Sequence, residues 1–366
     1  MFILVTNSRF ATYGGTERFV CDFINYMKKK HDVNLLTLSV DKKLFDFDIP
    51  VMELGEPIRN FELRTITNCL KFLNYKPEKF DAIMTGLAPS SFINSNTIPL
   101  IQYRHTMRFD FVDGRWNFHQ YKGIKAFYET PMDSLIYRWE KYLDRSSLKR
   151  SFVVANSVFT KKRLKKTYGV NSTVKYYGID TSKFYSKSKG NFILNVGRLW
   201  QDKRVEEIIE VLPHLPAEIK LCQVGGGSEK YKKKLLDLAK RLKVSDRVIF
   251  AGETPYNEMI KFYSRCFCVV QDTMEEDFGY VPIEAMACGK PVICRNEGGY
   301  KETVADGKTG FLFNSKNQLV EKISTLFSDT SMYRRVAKKA RVYVKKNFEL
   351  RDRMKDLEEL IKNQAS

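Results

Sequence analysis

Short runs of Ile, Val, Leu and Phe recur along the chain, separated by segments whose apolar positions fall three and four residues apart. The first half offers FILVT (2–6), VNLLTL (33–38), PVMEL (50–54), DAIMTG (81–86), IPLIQY (98–103), SFVVA (151–155) and VKYY (174–177). The second half offers NFILNV (191–196), IKLCQV (219–224), RVIF (247–250), CFCVV (266–270), PVIC (291–294) and GFLF (310–313). Runs without polar alternation are strands covered on both faces, and helical segments between them predict parallel sheets. Two such series predict an α/β chain of two doubly wound domains. Apolar periodicity stops at GIDTSKFYSKSKG (178–190), which reads as a linker. After Phe313 the chain changes to QLVEKISTLF, YRRVAKKARVYVKK and DRMKDLEELIKN, successive amphipathic helices with no strand among them. The expected division is 1–180, 181–346, and a terminal helix, 347–366, returning to the first domain.

The length of 366 residues suits two domains with cores of their own. A charged fraction of 29% and an apolar fraction of 43% exclude a disordered or fibrous chain. MFILVTNSRF has no basic segment ahead of its short apolar run and reads as a first strand, not a leader, and no run approaches a membrane span. Seven cysteines, an odd number sitting mostly in apolar segments, predict free thiols and a cytoplasmic setting.

Three strand-to-helix junctions carry candidate chemistry. In the first, Asn195-Val196-Gly197-Arg198-Leu199 with Lys203 close behind puts a planar guanidinium and a mobile ammonium at a strand end, a cradle for a diphosphate. The second is Val224-Gly225-Gly226-Gly227-Ser228, a glycine-rich turn without the full Gly-x-Gly-x-x-Gly spacing of dinucleotide folds. At the third, an acidic loop, Glu275-Glu276-Asp277, leads through Phe278 and Gly279 into a short helix from Tyr280 and Val281 to Ala287, whose unpaired first amides can receive an anion. Glu276 lies in the loop and Glu284 about one turn into the helix, which suits two separate hydroxyl acceptors better than a close acid–base pair. In the first half, Gly14 and Gly15 open a helix, and IPLIQY delivers Arg104 and His105 at a strand's carboxyl end. Asp46-Phe47-Asp48 lies in a Lys-rich loop and reads as solvated, and Cys266-x-Cys268 lacks a second Cys/His pair for zinc.

Taken together, EDFGYVPIEAMACGKPVI (276–293), GRLWQDK (197–203), VGGGSE (224–229) and DGKTGFLF (306–313) resemble the retaining GT-B glycosyltransferases of family 4. VANSVFTKKRL (154–164), YYGID (176–180) and GGTE (14–17) support the resemblance in the first half. It implies two Rossmann-like domains facing each other across a cleft. It further implies that Arg198 and Lys203 bind the diphosphate of a nucleotide sugar, helped by Gly14, Gly15, Gly226 and the amides from Phe278 through Gly279 and Tyr280 to Val281. Glu284 would hold ribose hydroxyls, Glu276 the transferred sugar, and His105 would line the reaction centre. No cofactor or metal is expected. The EEDFG form of the loop is similar to mannosyltransferase branches that use GDP-mannose, with UDP-hexoses the alternative donors. Two departures from the family pattern stand out: Gly298-Gly299-Tyr300-Lys301-Glu302 where Gly-Gly-Pro-x-Glu is familiar, and Arg204 where glycine is common.

The net charge of +19 divides into +13 over residues 1–190 and +6 over 191–366. The larger share lies away from the donor motifs and points to an anionic acceptor, a lipid-linked or glycan acceptor, or peripheral contact with an anionic membrane. Eleven aromatics between Tyr103 and Tyr142 suit sugar stacking, insertion at a membrane interface, or helix packing. A basic nucleic-acid-binding protein and a non-catalytic nucleotide-sugar sensor are the rival readings; nucleic acid is not an expected partner.

Overall fold

The computed structural model describes the chain apart from residues 12–13, 59–60, 87, 105–130 and 188–189. It divides into two compact units, the first made of residues 1–176 and 353–366, the second of 177–352. In the first, β1 (Phe2–Thr6), α1 (Gly15–Met27), β2 (Asp32–Thr37), β3 (Val51–Glu53), α2 (Phe61–Asn74), β4 (Ala82–Thr85), β5 (Leu100–Arg104), α3 (Pro131–Lys149), β6 (Phe152–Ala155), α4 (Val158–Tyr168) and β7 (Thr173–Val174) follow in order. The strands form one sheet in the order β3-β2-β1-β4-β5-β6-β7, every pair parallel. Ile3, Leu4 and Val5 are buried, as are Ile83 and Ile101, so the continuous apolar runs are covered on both faces.

The second unit runs β8 (Phe192–Val196), α5 (Val205–Val211), β9 (Lys220–Val224), α6 (Glu229–Arg241), β10 (Val248–Gly252), α7 (Tyr256–Arg265), β11 (Cys268–Gln271), α8 (Tyr280–Ala287), β12 (Val292–Arg295), α9 (Tyr300–Thr303), β13 (Phe311–Phe313), α10 (Lys316–Ser328) and α11 (Thr330–Asn347). Its sheet is also parallel throughout, in the order β10-β9-β8-β11-β12-β13. In this sheet the winding direction reverses between β8 and β11, and the loops leaving those two strands flank the opening where doubly wound sheets bind ligands. Those loops are GRLWQDK and the acidic segment before Gly279. All seven cysteines are free thiols, and burial pushes Cys222 up to about 11.

The last helix, α12 (Leu350–Ala365), begins in the second unit and belongs to the first from Arg353 onward. Its anchor is Glu358, whose buried carboxylate accepts from Lys362 (2.7 Å), Lys30 (2.9 Å) and Tyr26 (3.0 Å), with the His31 ring nitrogen 3.1 Å away. Burial opposes ionisation, but these donors outweigh it and hold the carboxyl down to about 2. The segment that enters the second unit and the one that leaves it run side by side, with Ile179 N–H on the Phe348 carbonyl and Leu350 N–H on the Ile179 carbonyl, both at 2.9 Å.

Arg104 turns out to be structural. It is fully buried at the end of β5, and its Nη2 meets both oxygens of buried Asp144, on α3, at 2.9 and 2.7 Å. His105, the neighbouring candidate, lies outside the described residues, as does most of the aromatic segment.

Candidate functional site

The loops after β8 and β9 are knitted together by their backbones. Leu199 N–H donates to the Gly226 carbonyl at 2.8 Å, and Gln223 Nε2 to the Gly197 carbonyl at 2.9 Å. A Cβ on Gly225 would lie 2.2 Å from the Gly197 carbonyl oxygen, so the glycine run is there for close backbone approach. The carbonyl of Gly226, expected among the donor-binding groups, is thus committed to holding the neighbouring loop. This splint presents Arg198 to solvent, while Leu199 anchors the turn in the core.

A 3-10 turn, Gln201–Lys203, then brings Lys203 back over the β11 loop. Its Nζ lies 3.2 Å from Glu276 Oε2 and 3.8 Å from Asp202 Oδ2, with both Lys203 and Glu276 only partly exposed. Burial would lower the ammonium, Arg198 pushes it the same way, and Glu276 and Asp202 outweigh both, leaving Lys203 above its ordinary range. Two residues that sit far apart in sequence, one from each loop, therefore meet at the strand ends where they were expected.

Arg204 next to Lys203 adopts the left-handed conformation, φ 45° and ψ 43°. That explains why glycine suits this position, and the arginine holds the conformation through ion pairs at 3.3 Å to both Asp272 and Glu297. Asp272, fully buried at the end of β11, also receives Nε and Nη2 of Arg295 at 2.6 and 2.8 Å. Its carboxyl is pushed up by burial, against the pull of Arg295 and Arg204. Glu275, beside Glu276, is itself left-handed at φ 45°, and its amide donates to Glu297 at 3.4 Å. Asp272, Arg295 and Glu297 escaped the sequence reading. Their only signal there was charge placed just after apolar strands.

Gly298 and Gly299 clasp the acidic loop from the other side. A Cβ on Gly298, at φ 58°, would come within 2.3 Å of the Glu276 carbonyl, and Gly299 N–H donates to that same oxygen. Tyr300, where the family pattern has proline, is buried and lies against Gly279. Gly279 is left-handed at φ 94° and precedes α8, whose start carries no side-chain cap. Phe278 is not a ligand-facing side chain: it is buried, edge-on to Tyr177, Tyr280 and Phe348.

Glu284 differs from the expectation of an open hydroxyl acceptor. It is 2% exposed, and its two oxygens accept from Tyr256 at 3.0 Å and Tyr263 at 2.7 Å, both on α7. The reason is packing: α8 lies against α7, which turns this face of the helix inward. In the first unit, the Gly14 amide is engaged by Glu17 Oε2 at 3.2 Å, so α1 already has a carboxylate at its start where Gly14 and Gly15 were expected to receive the donor. Among the described residues, no group of three or more His, Cys, Asp or Glu could hold a metal ion.

Residues 13–183 match the family described as Glycosyltransferase Family 4, and residues 179–343 match glycosyl transferases group 1. Together the two spans take in both units and every loop just described. The chain belongs to glycosyltransferase family 4. It is 29% identical over 196 residues to an uncharacterized glycosyltransferase of Methanocaldococcus jannaschii, covering 53% of this chain and 54% of that one. It is 32% identical over 190 residues to the O-antigen chain mannosyltransferase RfbU of Salmonella typhimurium, covering 50% and 53%. The chain thus spans about half the length of these relatives. The crystal structure of Anabaena HepE in complex with UDP and glucose is similar over 99% of both chains, with a TM-score of 0.77 at 21% identity, which establishes the shared two-domain α/β fold of GT-B type. Within this family frame, the Lys203–Glu276 pair is the part of the expected site that the second unit assembles by itself.

Proposed function

We propose that this family 4 chain is a retaining, metal-independent hexosyltransferase, moving a sugar from a nucleoside-diphosphate donor to a glycan, glycolipid or other acceptor. The observation that carries the proposal is the ion pair between Lys203 and Glu276 at the reversal point of the second sheet. A diphosphate entering this loop cluster competes with Glu276 for the Lys203 ammonium. When Lys203 and exposed Arg198 turn to the phosphates, Glu276 is released to accept hydroxyls of the sugar, so donor binding itself readies the carboxylate. The start of α8, which carries no side-chain cap, adds the positive end of a helix dipole as anion stabilisation without a metal.

GDP-mannose is the first choice of donor, on the EEDFG loop and the similarity to a mannosyltransferase of Salmonella typhimurium. A UDP-hexose is the second reading, favoured by the fold shared with a protein crystallised with UDP and glucose. A ribose role for Glu284 requires Tyr256 and Tyr263 to yield their hydrogen bonds, or to pass them on to the ribose as a hydroxyl relay.

Calorimetric titration with GDP-mannose, UDP-glucose, UDP-GlcNAc and ADP-glucose separates the donors. Micromolar binding of one donor, lost in Lys203→Ala, with transfer lost in Glu276→Ala, supports the proposal. Binding of none of the four, or transfer that survives both substitutions, refutes it. Sequence-independent, salt-sensitive binding to duplex DNA in a chain that binds no donor would favour the nucleic-acid reading.

A further inference from the structure

The +6 of residues 191–366 is concentrated on one helix. α11 contains Arg334, Arg335, Lys338, Lys339, Arg341, Lys345 and Lys346 and no acidic residue, so everything else in that half nets to −1. All seven are exposed, and none is ion-paired to a described residue. Several cations on other helices are ion-paired. Lys316 bridges Glu207 and Glu210, Arg353 pairs with Asp356, Lys355 with Glu359, and Lys362 with Glu358. Asp329, the residue before α11, caps its start by accepting the Met332 amide at 2.8 Å.

The helix is firmly oriented. Tyr333, Val336, Ala340 and Val344 are buried, and the Tyr333 hydroxyl donates to the Phe267 carbonyl at 2.7 Å. At about 100° per residue the seven cations fall within an arc of roughly 160°, spread over a length of about 18 Å. Val342 lies in the middle of that arc and is 62% exposed.

We propose that this face of α11 is a docking surface for an anionic lipid bilayer, held by electrostatic adsorption and not by insertion. A convex, unpaired row of cations matches a plane of many anionic head groups, and long Lys and Arg stems let the flanking charges reach that plane. A single central valine fits the head-group boundary but supplies too little apolar area to insert. The exposed face has no aromatic for base stacking and no aromatic anchor for a protein hot spot, which disfavours nucleic acid and a protein partner. Because α11 packs on α8, adsorption would hold the second unit with its candidate site one helix layer from the lipid. The inference concerns a surface and stands whether or not the chain transfers sugar.

The test is co-sedimentation of the full chain with vesicles of phosphatidylcholine alone and with added phosphatidylglycerol. Binding is expected only to the anionic vesicles, and it should weaken sharply between about 0.1 M and 1 M salt, where the screening length falls from about 10 to 3 Å. Replacing four cations (Arg334→Gln, Lys338→Gln, Arg341→Gln, Lys345→Gln) should lower partitioning at least roughly 100-fold, since each cation near such a surface contributes about a fivefold effect. The same charge removed from α6 (Lys230→Gln, Lys233→Gln, Lys240→Gln, Arg241→Gln) should lower it far less. Should the first variant fail to fold, lysine-labelling of the unaltered chain decides. Shielding of Lys338, Lys339, Lys345 and Lys346 by anionic vesicles supports the surface, and full reactivity there overturns it. Equal loss in both variants, or tight binding to duplex DNA with none to vesicles, also overturns it.

Discussion

Glu297 receives the guanidinium of Arg204 on one carboxylate oxygen at 3.3 Å and the amide of Glu275 on the other at 3.4 Å. One side chain thereby fixes the two left-handed residues that flank Lys203 and Glu276. The backbone cost of that arrangement at Arg204 is separable from its charge. Arg204→Gly and Arg204→Ala lose the same ion pairs, but alanine keeps the left-handed penalty, so the glycine variant should be the more stable by about 1 kcal/mol. Urea unfolding of the two variants measures the difference, and an alanine variant of equal or greater stability would contradict it.

Glu276→Gln should separate binding from turnover. Without its carboxylate partner, Lys203 is free for a diphosphate, so the nucleoside diphosphate of the correct donor should bind roughly two- to fivefold more tightly, the usual worth of a partly exposed pair. Transfer should fall in the same variant. Lys203 stands above its ordinary range, so in the unaltered chain diphosphate affinity should show no loss attributable to this lysine up to about pH 10. Weaker diphosphate binding in Glu276→Gln would remove the proposed exchange of partners.

Glu358 makes the attachment of α12 sensitive to acid. Its carboxyl is held down to about 2, against an ordinary value of 4.5 for the unfolded chain. The stabilisation is therefore complete above pH 4.5 and is lost as the pH falls towards 2. The amide protection factors of α12, corrected for the intrinsic pH dependence of exchange, should fall over that interval in the unaltered chain. In Glu358→Gln they should already be lower at pH 6 and change less on acidification. Parallel pH profiles for the two proteins would show that the four surrounding donors contribute nothing.

Arg104 and Asp144 form a fully buried pair. Arg104→Met strands a buried carboxylate and should destabilise the first unit by about 3–5 kcal/mol. Adding Asp144→Leu should recover most of that loss, because an apolar pair of similar volume needs no solvation. A double variant no more stable than the single one would mean that the pair is needed for its hydrogen bonds.

Much of the architecture could be read from periodicity, since both sheets are built from apolar runs long enough to be covered on two faces. The loops at the β8 and β11 ends were also legible, because Gly, Arg, Lys and Glu after a buried strand leave few structural roles open. The partners of Glu284 were not legible because its surroundings are set by Tyr256 and Tyr263, more than a helix away, and helical spacing says nothing about which neighbour covers a face. Phe278 was read for its backbone position, and only packing against Tyr177 and Phe348 assigns its ring. The Asp272–Arg295 pairing depends on two strands lying side by side, which neither strand records in its own sequence. The charge surplus was weighed by halves of the chain. That averaging hid the seven unpaired cations of α11 among acidic neighbours elsewhere in the same half.

The first unit is closed by residues 353–366, whose Glu358 settles among Tyr26, Lys30 and His31. During synthesis from the amino end, the whole of the second unit is therefore made before the first can acquire its last helix. The domain translated first is thus completed only after the second has been made, and until residues 353–366 emerge, the end of α1 waits with its basic cluster uncapped.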